Sequence, residues 1–258
     1  MTEVIVMGAR GRMGSTIAKL AKADPKYKLC ALIEREDQIT ELKEDVLVSS
    51  DLKVALKQFP QAVVIDFTQV EASLHTIEVC VQTKAKAVIG TTGFNQEELV
   101  LIKKAAQKIP LLLAPNMSIG INVLLKVLPQ LVNLLGPDYD LELSEIHHRF
   151  KKDAPSGTAL KLAECLAEAK NTTLDKVGKF CRHGLIGERS SQEIGVQTLR
   201  GGDVVGDHTV YFLGQGERIE VTHRAHSRET FARGALRAAQ WLKNQHPGKL
   251  YTMAEVLT

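Results

Sequence analysis

The densest chemistry in the sequence is the stretch Glu145-Ile146-His147-His148-Arg149-Phe150-Lys151-Lys152-Asp153-Ala154-Pro155-Ser156-Gly157-Thr158-Ala159. Histidine titrates near neutrality and can donate or accept a proton, and Lys151 beside the histidines is a second candidate donor. Arg149, Lys151 and Lys152 add three cations within four residues. Ser156 is placed to cap a helix opening at Gly157, where the missing side chain lets a ligand approach the backbone. A helix start beside a lysine and a histidine is an arrangement for binding a carboxylate, with Thr158 in its first turn. Adjacent histidines on a strand point to opposite faces, so at most one of His147 and His148 faces a given site unless the strand breaks there. The competing reading is a solvated basic loop followed by a capped helix. Zinc binding by the two histidines needs further ligands at suitable spacing, and none is evident, so no metal is expected. Ser156 lacks the G-x-S-x-G surroundings of a hydrolase nucleophile.

A second chemical feature lies at the N-terminus. Gly8-Ala9-Arg10-Gly11-Arg12-Met13-Gly14 follows an apolar run and precedes a helix-like stretch, a G-x-x-G-x-x-G variant of the dinucleotide fingerprint. Such a turn needs glycine for tightness, for close approach to a pyrophosphate and for helix–strand packing. The helix that follows offers N–H groups and a partial positive charge to phosphates. Glu34 lies 20 residues past Gly14 at the end of the second apolar run, placed to bind the ribose hydroxyls of NAD. Arg35, Arg10 and Arg12 supply cations for the 2′-phosphate of NADP. A structural glycine turn with solvated arginines is the alternative. Two further turns, Gly90-Thr91-Thr92-Gly93 and Ala114-Pro115-Asn116-Met117-Ser118, follow predicted strands and can line a nicotinamide pocket with backbone groups.

These residues require elements to position them. The apolar runs Val4–Met7, Leu29–Ile33, Ala62–Phe67, Ala87–Ile89 and Leu111–Ala114 are continuous, as in strands buried on both faces of a parallel sheet. Helical segments Ser15–Ala23, Leu52–Phe59, Ala72–Thr83 and Gln96–Lys108 alternate with them, which predicts a doubly wound α/β domain. After Pro115 the rhythm changes. Ile119–Leu135 reads as a buried helix kinked at Pro129, Leu141–Ile146 as a strand and Gly157–Lys170 as a helix. Ile194–Leu199, His208–Leu213 and Arg218–Thr222 read as an antiparallel sheet. The segment 171–193 has little pattern and is expected to be a mobile loop. Glu229–Asn244 is an amphipathic helix that returns to the first domain. The expected domains are 1–118 with 228–258, and 119–227 inserted between them.

The chain has 258 residues and a net charge of +3, too small a surplus to argue for nucleic acid. Hydrophobic residues make up 44% and charged residues 24%, ordinary globular usage, while aromatics at 5% imply an aliphatic core. No apolar run approaches the ~18–20 residues of a membrane span, and the N-terminus does not read as a signal peptide. The expectation is a soluble, cytoplasmic protein. Cys30, Cys80, Cys165 and Cys181 form no C-x-x-C pair and read as buried thiols.

The stretch Glu145-x-His147-His148-x-x-Lys151-x-Asp153-Ala154-Pro155-Ser156-Gly157-Thr158-Ala159 resembles the signature of the bacterial dihydrodipicolinate reductases. The resemblance extends to Gly8–Gly14, Asp66-Phe67-Thr68, Gly90-Thr91-Thr92-Gly93-Phe94 and Ala114-Pro115-Asn116-x-Ser118. It continues through Arg200-x-Gly202-Asp203-x-x-Gly206-x-His208 and Phe231-Ala232-x-Gly234-Ala235, covering essentially the whole chain. It implies reduction, with NADH or NADPH, of a cyclic dicarboxylate formed from aspartate semialdehyde and pyruvate, on the route to diaminopimelate and lysine. By the same resemblance His147 and Lys151 form the proton-donating catalytic pair. His148, Lys151, Ser156, Gly157 and Thr158 bind substrate. Gly8, Ala9, Arg10, Gly11, Arg12, Met13, Glu34, Arg35, Gly90, Thr91, Thr92, Ala114, Pro115, Asn116 and Met117 bind the cofactor. Met117 departs from the family pattern, where phenylalanine is frequent. The implied fold is a Rossmann-type doubly wound parallel sheet domain plus an α+β substrate and oligomerisation domain with a mostly antiparallel sheet. The implied partners are a small dicarboxylate and further copies of the chain in a homotetramer, with neither nucleic acid nor membrane. Two rival readings remain: a semialdehyde dehydrogenase, which needs a cysteine nucleophile facing the nicotinamide, and a non-enzymatic NAD(P) sensor, which has no use for His147 and Lys151.

Overall fold

The computed structural model describes residues 1–41 and 45–257. They divide into two compact units, Met1–Ile119 with Arg228–Thr258, and Gly120–Ser227.

In the first unit the chain alternates strand and helix: β1 (Thr2–Met7), α1 (Arg12–Ala23), β2 (Tyr27–Ile33), β3 (Leu47–Ser49), α2 (Leu52–Gln58), β4 (Val63–Asp66), α3 (Val70–Thr83), β5 (Lys86–Ile89), α4 (Gln96–Ala106) and β6 (Leu111–Leu113). Neighbouring strands are parallel throughout. The helices α8 (Glu229–Leu242) and α9 (Met253–Val256) and the strand β12 (Leu250–Tyr251) complete the unit. The sheet order is β12-β6-β5-β4-β1-β2-β3. Successive side chains of a strand face opposite sides, and here both sides are covered, so the strands are apolar without interruption. Val4, Val6, Val63 and Ile65 join Ile17, Leu20, Leu236 and Leu242 of α1 and α8 in one core. Ile5, Val64, Ala87 and Ile89 join Leu56, Ile77 and Ile102 of α2, α3 and α4 in the other. The chain leaves β1 for β2 on one side and reaches β4 on the other. That reversal beside β1 makes the carboxyl ends of these strands the topological switch point, where ligands of doubly wound sheets bind.

The second unit holds α5 (Ile119–Leu135), β7 (Asp140–His147), α6 (Gly157–Ala169), α7 (Leu174–Val177), β8 (Gly178–Lys179), β9 (Ile194–Arg200), β10 (Gly206–Leu213) and β11 (Arg218–Ala225). Its sheet order is β11-β10-β7-β9-β8. β10 runs antiparallel to β7 and β11, whereas β9 runs parallel to β7 and β8 because the chain returns to it through α6 and the loop beyond. Alternation is strict on β7: Leu141, Leu143, Glu145 and His147 are buried, and the residues between them are half-exposed. The first two pack with Val210, Phe212, Leu162 and Leu166 in the core of this unit.

Segment 171–193, expected to be mobile, is tied to the sheet. α7 and β8 order its first part. Arg182 then donates to both carboxylate oxygens of Glu142 (2.9 and 2.6 Å) and to Glu193 (2.6 Å). Arg189 reaches Asp140 (2.5 Å), Glu142 (3.1 Å) and the main-chain carbonyls of Leu141, Ser190 and Glu193. Gly195 makes room for this network, since a Cβ there would collide with the Glu142 carboxylate.

Candidate active site

The carboxyl end of β1 leads into the glycine turn of the first unit. Gly8 has φ +60°, a conformation glycine adopts without strain. The turn closes on itself through Gly11 N–H donating to the Gly8 carbonyl (2.9 Å). Gly14 lies on that same carbonyl, and a Cβ at this position would stand 2.1 Å from it. Gly11 occupies the position before the first turn of α1 and has no side chain to cap its first N–H groups. Glu34, at the end of β2, accepts from the main-chain N–H of Arg10 (2.9 Å) and of Arg35 (3.0 Å). The structure thus joins Gly8–Gly14 with Glu34 in one corner of the unit. Arg10, Arg12 and Arg35 are exposed around it, and Arg35 pairs with Asp37 at 3.3 Å. An uncapped helix start, a side-chain-free cradle and an acid at the second strand end suit a dinucleotide.

Behind the turn, the buried Asp66 carboxylate accepts from the Thr68 N–H (2.7 Å), the Thr68 hydroxyl (2.6 Å) and the Ser73 hydroxyl (3.0 Å). Ser73 in turn meets the buried Thr91 hydroxyl at 2.6 Å. This chain fixes the strand ends after β4 and β5, so Gly90 and Thr91 are held while Thr92 is exposed. Ala114 continues β6, donating to Ile89 (3.0 Å), and Asn116 turns the chain by accepting from the Ser118 N–H (2.8 Å). Pro115 is exposed between them. Met117 is different: its side chain is 1% exposed in the core, and Gly234 of α8 lies against its carbonyl.

In the second unit the buried face of β7 changes character along its length, from Leu141 and Leu143 to Glu145 and His147. Glu145 is 0% exposed and His147 8%. The Glu145 carboxylate meets His147 Nδ1 at 2.6 Å and accepts from Arg200 twice (2.7 and 2.9 Å) and from the Ser156 N–H (2.9 Å). Burial alone would raise the Glu145 carboxyl, but the hydrogen bonds from Arg200, His147 and Ser156 outweigh it and hold its pKa at about 2. Burial pushes His147 below the ordinary histidine value, opposed by Glu145 and assisted by Lys151 and Arg200. His208 packs edge-on against His147, with ring centroids 5.2 Å apart, and faces the Ser156 hydroxyl at 3.2 Å. Burial, with the His147 charge second, takes His208 down to about 3, so it is neutral at pH 7.

Ser156 caps α6 by accepting from the Ala159 N–H (3.1 Å). In front of Gly157 the space is open, since a Cβ there would meet nothing within 4 Å. Thr158 is half-exposed in the first turn beside it. Lys151 Nζ lies 2.8 Å from Asp153 Oδ1. His148 leaves the strand, with its main-chain N–H on the Val204 carbonyl (2.8 Å) and its ring near Phe150. His147, Ser156, Lys151 and the start of α6 therefore belong to one constellation. Glu145, Arg200 and His208 complete it, and sequence reasoning assigned them no role. Period two from His147 along β7 was a local signal for Glu145; Arg200 and His208 come from other strands, and only the resemblance marked them, without a role.

The thiols of Cys30, Cys80 and Cys165 are buried, and burial raises Cys30 to about 11, which leaves no activated cysteine nucleophile among them. Cys181 is exposed in the second unit. No helix among the described residues is long and apolar enough to cross a membrane.

Comparison with known proteins accounts for both units. The family model described as dihydrodipicolinate reductase, N-terminus matches residues 2–117, and that of the C-terminus matches 120–257. The 4-hydroxy-tetrahydrodipicolinate reductase of Nitratidesulfovibrio vulgaris is 58% identical over 256 residues, 99% of each chain. That of Oleidesulfovibrio alaskensis is 57% identical over 255 residues, 98% of each. Among solved structures, a dipicolinate-bound dihydrodipicolinate reductase from Paenisporosarcina sp. TG-14 superimposes with TM-score 0.79 at 26% identity, covering 98% of this chain and 97% of that one. A probable dehydrogenase from Thermotoga maritima, 15% identical with TM-score 0.62, shares the fold over 98% of this chain and 92% of its own. The chain belongs to the dihydrodipicolinate reductase family and is an oxidoreductase.

Proposed function

We propose that the chain reduces 4-hydroxy-tetrahydrodipicolinate to tetrahydrodipicolinate with NADH or NADPH, in the cytoplasm, on the route to diaminopimelate and lysine. One hydride and one proton are added while the 4-hydroxyl leaves as water. The catalyst must therefore provide a hydride donor, an acid and an anchor for carboxylates. A bound nicotinamide supplies the hydride. Residues 1–118 with 228–258 form the dinucleotide-binding domain. Within it Gly8–Met13 and the start of α1 receive the pyrophosphate, and Glu34 accepts from ribose hydroxyls. Arg10, Arg12 and Arg35 face a 2′-phosphate when there is one. Main-chain groups of Gly90, Thr91, Thr92 and Ala114–Met117 flank the nicotinamide end.

Residues 119–227 form the substrate-binding and oligomerisation domain. Lys151, His148 and the N–H groups at Ser156, Gly157 and Thr158 hold the substrate carboxylates, and His147 with Lys151 delivers the proton. The observation that carries this reading is the second unit's constellation. A histidine held by a buried carboxylate stands in one network with the open, serine-capped start of α6. The Paenisporosarcina relative binds dipicolinate, a planar dicarboxylate, and supports a substrate of that class for this chain. A homotetramer belongs to the same reading, supported by the exposed edge strand β11 with Ile219 on it.

The decisive assay supplies freshly condensed aspartate semialdehyde and pyruvate, through the preceding synthase, and follows nicotinamide oxidation. Turnover with either cofactor is expected; none with both would sink the proposal.

A further inference from the structure

Beside His147 in the second unit, Glu145 and Arg200 form a charged pair with no part in the proton transfer itself. The Glu145 carboxylate is fully buried on the same face of β7 as His147, two residues away. It lies where three segments meet: its own strand, the Ser156 turn and the end of β9. An ionised carboxylate has acceptor sites only. A contact of 2.6 Å to His147 Nδ1 therefore requires that nitrogen to carry hydrogen in both charge states of the ring. Proton exchange is left to Nε2. That atom lies beside Gly206, where a Cβ would stand only 2.9 Å away, so glycine keeps its surroundings open.

Arg200 makes the arrangement possible. Its guanidinium donates to both Glu145 oxygens and also to the carbonyls of Asp153 (2.6 Å) and Leu199 (2.6 Å). A buried carboxylate without such a partner would neutralise by taking up a proton. Through Asp153 the same guanidinium anchors the loop that carries Lys151. We propose, on the basis of the function assigned above, that Glu145 and Arg200 are a positioning pair that locks His147 as the Nδ1–H tautomer and sets the pH at which Nε2 is charged. Neither touches substrate in this scheme; both act through His147.

The charges facing His147 come from every neighbouring segment. Glu145 lies on its own strand, Arg200 comes from β9, Lys151 from the following loop, and neutral His208 from β10. Glu145 favours the imidazolium, while Arg200 and Lys151 oppose it. Loss of either member of the pair should thus move the histidine in opposite directions. Glu145→Gln keeps the shape, removes the negative charge and lowers the His147 midpoint. Arg200→Gln removes the positive charge and raises it, and Arg200→Lys restores it. Shifts of roughly one pH unit or more are expected for a charge in direct contact.

The test is ring ¹⁵N NMR of the full-length, ligand-free protein, titrated for wild type and the three variants, alongside kcat against pH. In wild type, Nδ1–H is expected in the neutral ring; an Nε2–H tautomer would overturn the proposal without any variant, even if Glu145→Gln fails to fold. Opposite midpoint shifts support the pair, and shifts of the same sign refute it. The kcat profile should follow the NMR midpoints. If His147→Gln leaves kcat and its profile unchanged, the proton-donor reading falls, while the tautomer and midpoints still decide the positioning claim.

Discussion

Lys151 stands where two demands of the chemistry meet, since it can neutralise a carboxylate and donate a proton. It pairs with Asp153 of its own loop, whose side chain is exposed, so the pair is cheap to open. Lys151→Ala should lower kcat by on the order of 10²-fold, the lower range for a general acid, and also raise KM. Steady-state kinetics check this, and unchanged constants would remove Lys151 from the mechanism. Glu34 tests the other unit. Its carboxylate braces the Arg10 and Arg35 N–H groups, and only a cofactor with a free 2′-hydroxyl gains from an acceptor there. Glu34→Ala should therefore raise the Kd of NADH more than that of NADPH, by calorimetric titration; equal losses would count against a ribose role and leave Glu34 as a brace of the turn. Met117 shows the limit of reading residues from a motif alone. Its place in the chain follows a strand end, yet it is buried in the core of the unit, where Gly234, far away in sequence, leaves room for its carbonyl.

Elements were legible where they carry their own pattern. The continuous apolar runs gave β1, β2, β4, β5 and β6, because burial on both faces leaves no polar position. The run Leu141–Ile146 gave most of β7, but it stopped one residue short of His147 and left open which of the two adjacent histidines faces the site. β3 and β12 escaped as the short edge strands of the sheet: β3 is only half-buried and β12 has two residues, whereas the equally short β6 lies inside the sheet and is apolar throughout. Segment 171–193 escaped for a different reason. It is held by Arg182 and Arg189 on carboxylates of β7 lying 40 to 49 positions away, and no local pattern encodes such partners. This account predicts that Arg189→Met loosens the segment specifically. Its amides should exchange hydrogen faster, as read by mass spectrometry, while β7 and β10 keep their protection. The stability cost should be about 1–3 kcal/mol, since hydrogen bonds to charged groups are lost and Asp140 and Glu142 keep their charges. Uniform exchange across the second unit would show the network to be incidental.

At the scale of the whole molecule, the +3 net charge says little, and the buried titratable groups of the second unit decide how the protein meets acid. His208 is 4% exposed and titrates at about 3 when folded, against an ordinary value of 6.5. Below pH 6.5 the unfolded chain takes up a proton that the folded chain refuses, so stability is full above that pH and falls as pH drops toward 3. At about 1.4 kcal/mol per pH unit, the loss from this residue reaches about 3 kcal/mol by pH 4. Glu145 adds a second phase of the same sign. Its folded value of about 2 lies below an ordinary 4.5, so its contribution is complete above pH 4.5 and is lost as pH falls through that value toward 2. His147 and His223, also lowered by burial, share the first window with His208. Denaturant unfolding from pH 7.5 to 3.5 should therefore show stability declining from near pH 6.5, earlier than carboxylate titration alone would give. His208→Asn should flatten that early decline while leaving the later, carboxylate phase in place. A variant as acid-sensitive as wild type between pH 6.5 and 4.5 would mean that His208 is charged in the folded protein, and its neutral, edge-on packing against His147 would have to be abandoned.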